Sequence, residues 1–131
     1  MVKDNVSDFL VKLKNAGIAK KPSVSFPYSK FIVAIAELLQ AEKYLTAIER
    51  KGKQRRQFVE VVLAYDESGH CKISGIARIS KPSRRVYSKS TRLYPVLNGL
   101  GRAVISTPQG LITDRIARRQ KIGGEVLFKI W

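Results

Sequence analysis

The last nine residues, "GGEVLFKIW" (123–131), constrain the fold more than any other stretch. A strand with one wet face alternates apolar and polar side chains, and this one does not. Read at period two, Val126, Phe128 and Ile130 share one side while Leu127 and Trp131 share the other. Both sides are apolar, as in a strand that has neighbours on either edge and is covered on both faces. The rest of the 131-residue chain must therefore supply a sheet around this segment and the cover for it.

The elements that precede it can be read in order. Val6, Phe9, Leu10 and Leu13 recur at helical spacing with Gly17 as a stop, so residues 4–16 are expected to form an amphipathic helix. "SVSF" (23–26) alternates as a short strand. Ser29 can cap a second helix reaching about Tyr44, with Phe31, Ile32, Ile35, Leu38 and Leu39 as its buried stripe. "YLTAIER" and "RRQFVEVVLAY" read as two strands joined by the basic loop "KGKQ". After the polar turn "DESGH" (66–70), "CKISGIARIS" and "RRVYSK" read as strands separated by "KPS". "LYPVLNGLG" is a turn region, "RAVIST" a strand, and Thr113 to Lys121 a short helix before the terminal strand. The expected class is α+β with two small lobes. Residues 1–66 form a helix-strand-helix-hairpin lobe, and residues 67–131 a mainly antiparallel β lobe with one short helix.

Charge indicates the partner. Lys and Arg number 25 against 10 Asp and Glu, a formal net charge of +15, which favours a polyanion. The imbalance is concentrated: residues 1–66 carry net +5, residues 67–131 net +10. The second lobe is the expected anion-facing side. A single cysteine, Cys71, allows no intrachain disulfide and suits a reducing interior. Asp4 and Asp8 interrupt the N-terminal segment, which argues against a secretory signal. No run approaches the roughly 20 apolar residues of a membrane span, so no membrane partner is expected.

No catalytic constellation stands out. His70 is the only histidine, sits in a turn-forming sequence beside Cys71, and has no metal-ligand spacing around it. "STPQG" lacks the lysine and spacing of a phosphate loop. Asp114, near a helix start, complements the helix dipole. No cofactor and no metal are expected.

Nucleic-acid chemistry is better represented. Arg84, Arg85 and Tyr87 lie together, flanked by Lys81 and Lys89. In a strand, Arg85, Tyr87 and Lys89 share a face, setting a ring that can stack on a base between two cations. A solvated edge strand whose lysines deter aggregation accounts for the same pattern. Arg115, Arg118 and Arg119 fall on one helical face, and Thr113 as N-cap leaves backbone N–H groups toward the "STPQG" tip. Ser106 and Thr107 either read a ligand there or only shape a turn.

In sequence order, these segments resemble the bacterial-type small-subunit ribosomal protein eight family. "GLGRAVISTPQGLITDRIARRQKIGGEVLFKIW" is similar to its Gly-x-Gly turn, strand, Ser-Thr-x-x-Gly loop, Thr-Asp-Arg helix and Gly-Gly-Glu strand. "ISKPSRRVY" resembles its Ser-Arg-Pro-Gly-x-Arg-x-Tyr segment, while "DNVSDFLVKLKNA" and "SKFIVAIAELL" resemble its first two helices. The resemblance implies a non-enzymatic ribosomal protein, cytoplasmic and in the ribosome. Its partners would be the central domain of 16S-type ribosomal RNA, neighbouring small-subunit proteins and its own operon messenger RNA, which it would repress. It places Ser106, Thr107, Gln109 and Gly110 in an RNA minor groove, with Glu125 shaping the same site. An A-form minor groove is wide, shallow and lined with 2′-hydroxyls, which short polar side chains on a stiff tip suit. Five positions depart from the family pattern: Ser83 and Asn98 replace glycines, Pro108 and Gln109 alter the loop, and Phe128 replaces a cysteine beside the RNA surface and could crowd it. The competing readings are a free RNA-binding regulator or chaperone and, from another class, an RNA-modifying enzyme using Glu125 or Asp114.

Overall fold

The computed structural model describes residues 5–53 and 55–131. Asp4, at the expected start of the first helix, and Gln54 of the basic loop lie outside the described residues. The chain divides into two compact units, one ending at Ser74 and the other spanning Gly75–Trp131. The α+β class holds in both.

In the first unit, α1 (Asn5–Ile18) buries Phe9, Leu10, Leu13 and Ala16. Gly17 does not stop it. A Cβ there would lie 2.9 Å from the Cys71 sulfur, so this glycine makes room for a packed side chain. The stop falls instead at Lys20, left-handed at φ 57, where Lys21 N–H bonds back to the Ala16 carbonyl at 2.9 Å. β1 (Ser23–Pro27) leads to α2 (Lys30–Ala41), which starts after Ser29 without a side-chain cap bond. It buries Ile32, Ile35, Ala36 and Leu39, whereas Phe31 is exposed. β2 (Leu45–Lys51) and β3 (Phe58–Leu63) complete an antiparallel sheet in the order β1-β3-β2. α1 packs on β1 and α2 on β2, which covers the buried Val59, Val61 and Leu63 of the central strand.

The polar turn at 66–70 lies inside this unit. Tyr65 and Cys71 form a β-bridge across it, and the Asp66 carboxylate accepts backbone N–H bonds from Ser68 and His70, both 2.9 Å. The His70 bond leads in holding the Asp66 pKa below the usual carboxylate range. The turn is therefore a hairpin bend, and the chain passes to the second unit between Ser74 and Gly75 instead of at residue 66. Charge changes along the sequence earlier than packing does.

The second unit contains β4 (Ile76–Arg78), β5 (Tyr87–Ser88), β6 (Arg102–Thr107), β7 (Gly110–Thr113), α3 (Asp114–Gln120) and β8 (Gly124–Ile130), with 3-10 turns at Ser90–Arg92 and Val96–Gly99. As expected, β8 is central: β6 pairs on one edge, β4 and β5 on the other, and β7 lies beyond β6. Its faces divide differently from the period-two reading. Ile105 pairs with Val126 but Val104 pairs with Phe128, so a β-bulge at Leu127 reverses the alternation. Val126 joins Leu93, Val96, Ala103, Ile105 and Ala117 in one cluster, while Phe128, fully buried, points with Val104 to the opposite face. Phe128 is therefore buried on the face that Val104 shares with Ser106. Asn98 accommodates its turn in the left-handed region, at φ 55.

Two of the expected strands are mostly irregular. The bulge carbonyl of Leu127 accepts from Ile79 and Ser80, at 3.0 and 3.2 Å, where the chain leaves the sheet edge. The buried Ser80 hydroxyl accepts the Val86 N–H at 2.8 Å and closes the neck of this excursion, leaving three paired residues before it and two after. Among the described residues, no helix is long and apolar enough to cross a membrane.

Candidate nucleic-acid interface

Sheet register brings three of the expected residues into one row. Ser106 pairs with Glu125 across β6 and β8, and Tyr87 pairs with Glu125 across β5 and β8. Paired residues on adjacent strands point to the same face, so the three side chains span about 10 Å of one surface. Tyr87 is 70% exposed. Arg85 reaches the row by an ion pair: its guanidinium lies 3.3 Å from the Glu125 carboxylate, whose side chain is only 12% exposed.

The Gly-Gly pair permits this row. A Cβ on Gly123 would lie 2.5 Å from the Ser88 carbonyl oxygen, and one on Gly124 would lie 2.3 Å from that of Ser106. Both neighbouring strands close on the start of β8 because neither residue has a side chain. Glycines directly before an apolar strand are a legible signal for such close approach.

β6 and β7 form a hairpin with Pro108 and Gln109 at its tip, since Thr107 pairs with Gly110. Between the tip and the helix lies β7, a strand of only four residues that is too short to show as a period-two pattern. The Thr107 hydroxyl accepts the Gln109 N–H at 3.1 Å and donates to the Gly110 carbonyl at 2.8 Å. Gly110 closes the turn at φ 117. Thr107 thus spends its proton on the turn and offers a ligand only a lone pair. The half-buried Ser106 hydroxyl has no partner among the described residues.

The start of α3 does not face the tip. β7 carries the chain about 10 Å away before the helix begins, and Thr113 and Asp114 are both buried. Thr113 caps the helix by accepting the Ile116 N–H at 3.4 Å. Asp114 does more than complement the dipole: one oxygen accepts the Ala103 N–H at 3.0 Å, and the other lies 2.6 Å from the Arg118 guanidinium. Arg118 also donates to the Leu93 carbonyl at 3.4 Å. This arginine is a brace, leaving Arg115 and Arg119 exposed on the helix. Arg84 stands exposed in the Lys81–Arg84 turn.

The three arginines should therefore separate experimentally. Replacing Arg115 and Arg119 together with glutamine should flatten the salt dependence of RNA binding by about 0.7 to 0.9 for each phosphate no longer neutralised. Arg118→Gln should instead lower unfolding stability by about 1–2 kcal/mol, a value discounted for its partial exposure, and leave the slope unchanged. Salt titrations and urea melts on the two variants check this.

Among the described residues, no group of His, Cys, Asp and Glu side chains could hold a metal ion. Both Asp114 oxygens are occupied, and Glu125 faces Arg85. The molecule is thus a strongly basic α+β protein of two units, with an aromatic-polar row at one end of a sheet. The family model for ribosomal protein S8 matches residues 4–131. Small ribosomal subunit protein uS8 of Limosilactobacillus reuteri (strain DSM 20016) is 44% identical over 128 residues, covering 98% of this chain and 97% of its own. The protein of that name from Helicobacter pylori (strain Shi470) is 43% identical over 131 residues, the full length of both. The chain belongs to the ribosomal protein S8 family.

Proposed function

We propose that this protein is a non-enzymatic structural component of the small ribosomal subunit that binds the central domain of 16S-type ribosomal RNA directly, through residues 75–131. The observation that carries this reading is the Ser106–Glu125–Tyr87 row on a rigid, doubly flanked strand. In a wide A-form minor groove, the Ser106 hydroxyl can donate and accept, and the Glu125 carboxylate can accept from a 2′-hydroxyl. Arg85 offsets the charge that Glu125 brings toward phosphates. Tyr87 presents a ring to an unstacked base, and Gln109 projects from the hairpin tip that Thr107 and Gly110 hold in shape. Arg84, Arg115 and Arg119 neutralise flanking phosphates.

On this reading the protein works in the cytoplasm, within the ribosome and beside other small-subunit proteins. Any RNA with the same local groove competes for the row, and an operon messenger RNA that carries such a groove would be a second ligand, its repression following from occupancy.

Footprinting on naked small-subunit ribosomal RNA tests the reading. Protection should fall on one irregular helix of the central domain. Ser106→Ala keeps every charge, so affinity for that helix should drop by about 1 kcal/mol while unrelated duplex RNA binds as before. Diffuse protection, or equal losses on both RNAs, overturns the assignment.

A further inference from the structure

Beside the row lies an open groove that the row itself does not explain. Tyr87, Ser88, Lys89 and Ser90 line it from one segment and Lys121 from another, with the bare backbone of Gly123 and Gly124 as its floor. No carboxylate lines it, and neither lysine has an ion-pair partner among the described residues. Lys89 and Lys121 therefore place two unneutralised charges around a floor of bare backbone. That floor cannot accept a side chain, because a Cβ on either glycine meets carbonyl oxygen within 2.5 Å.

Lys121 occupies its position against a local preference. It is the C-cap of α3 in the left-handed conformation, φ 57 and ψ 44, where glycine is free of strain and a side chain is not. Lys20 and Lys43 take the same conformation after α1 and α2, so what distinguishes Lys121 is its place in the lining of this groove.

We propose that this groove seats one phosphodiester of the bound RNA between Lys89 and Lys121, next to a base stacked on Tyr87. The inference rests on the reading of the second unit as the ribosomal RNA-binding face and extends it to one nucleotide. The exposed ring stands at the rim of the groove, so a base on the ring brings its own phosphate over the glycine floor. Two ammonium groups suit a phosphate as point charges that need no fixed fork geometry. The Ser88 hydroxyl donates to the Lys89 carbonyl at 3.1 Å, which leaves that of Ser90 as the neutral donor lining the site.

The experiment uses the full chain with an RNA fragment carrying the protected central-domain helix. Lys121→Gly removes the charge and relieves the backbone, so its melting temperature should equal or exceed that of the wild type while affinity falls about five- to eightfold at 0.1 M salt, the effect of one phosphate. Lys121→Arg should retain both the affinity and the salt slope. Ethylation of a single phosphate should weaken wild-type binding and have no further effect on the Lys89→Gln/Lys121→Gln double variant. If Lys121→Gly is as stable and binds with unchanged slope, the groove holds no phosphate. If the wild-type protein does not distinguish this helix from unrelated duplex, the broader RNA reading fails and takes the groove with it.

Discussion

Replacing Phe128 with alanine should remove about 3–5 kcal/mol of stability from the second unit, the range for truncating a buried aromatic side chain. The ring is fully buried opposite Val104 on the central strand. Total domain stabilities are about 5–15 kcal/mol, so the variant should be partly unfolded at moderate temperature. Trp131 is the only tryptophan and packs against the core of this unit, so its fluorescence during urea unfolding reports on the right region. Phe128→Leu, which keeps most of the volume, should lose only about 1–2 kcal/mol. If Phe128→Ala melts within about 0.5 kcal/mol of wild type, as surface changes do, the ring is at the surface and the bulge at Leu127 is misplaced.

Asp114→Ala should cost about 2–4 kcal/mol and weaken specific RNA binding without altering any exposed charge. The carboxylate is 1% exposed and has two partners, the Ala103 N–H and Arg118. Removing it leaves a buried backbone donor unpaired and an arginine without its counter-charge. Because Ala103 lies in β6, which ends at Ser106 and Thr107, the loosened strand presents the hairpin less firmly. Asp114→Asn keeps the acceptor for Ala103 and loses only the ionic part, so it should fall between wild type and alanine. Urea melts and binding to the central-domain helix measure both consequences. Equal stability of the alanine and asparagine variants would show that the Ala103 bond contributes nothing.

Much of this molecule is legible along the chain because its signals are local. Helix stripes such as Phe9, Leu10 and Leu13 follow from a period of 3.6 residues, and an apolar run such as 126–131 has to be central wherever it is placed. The net charge of +15 favours a polyanion whatever the fold. Other features depend on which strand lies beside which. The Ser106–Glu125–Tyr87 row exists only through register across three strands distant in sequence. The bulge that places Phe128 opposite Val126 depends on two carbonyl-seeking amides from residues 79 and 80. Arg115, Arg118 and Arg119 share one helical face in sequence, yet only Arg118 meets a buried aspartate. Composition and periodicity determined the helices, the central strand and the charge that favours a polyanion. Tertiary structure decided which polar groups remain free to bind it, because a hydrogen bond or ion pair is consumed by whichever neighbour packing brings within reach.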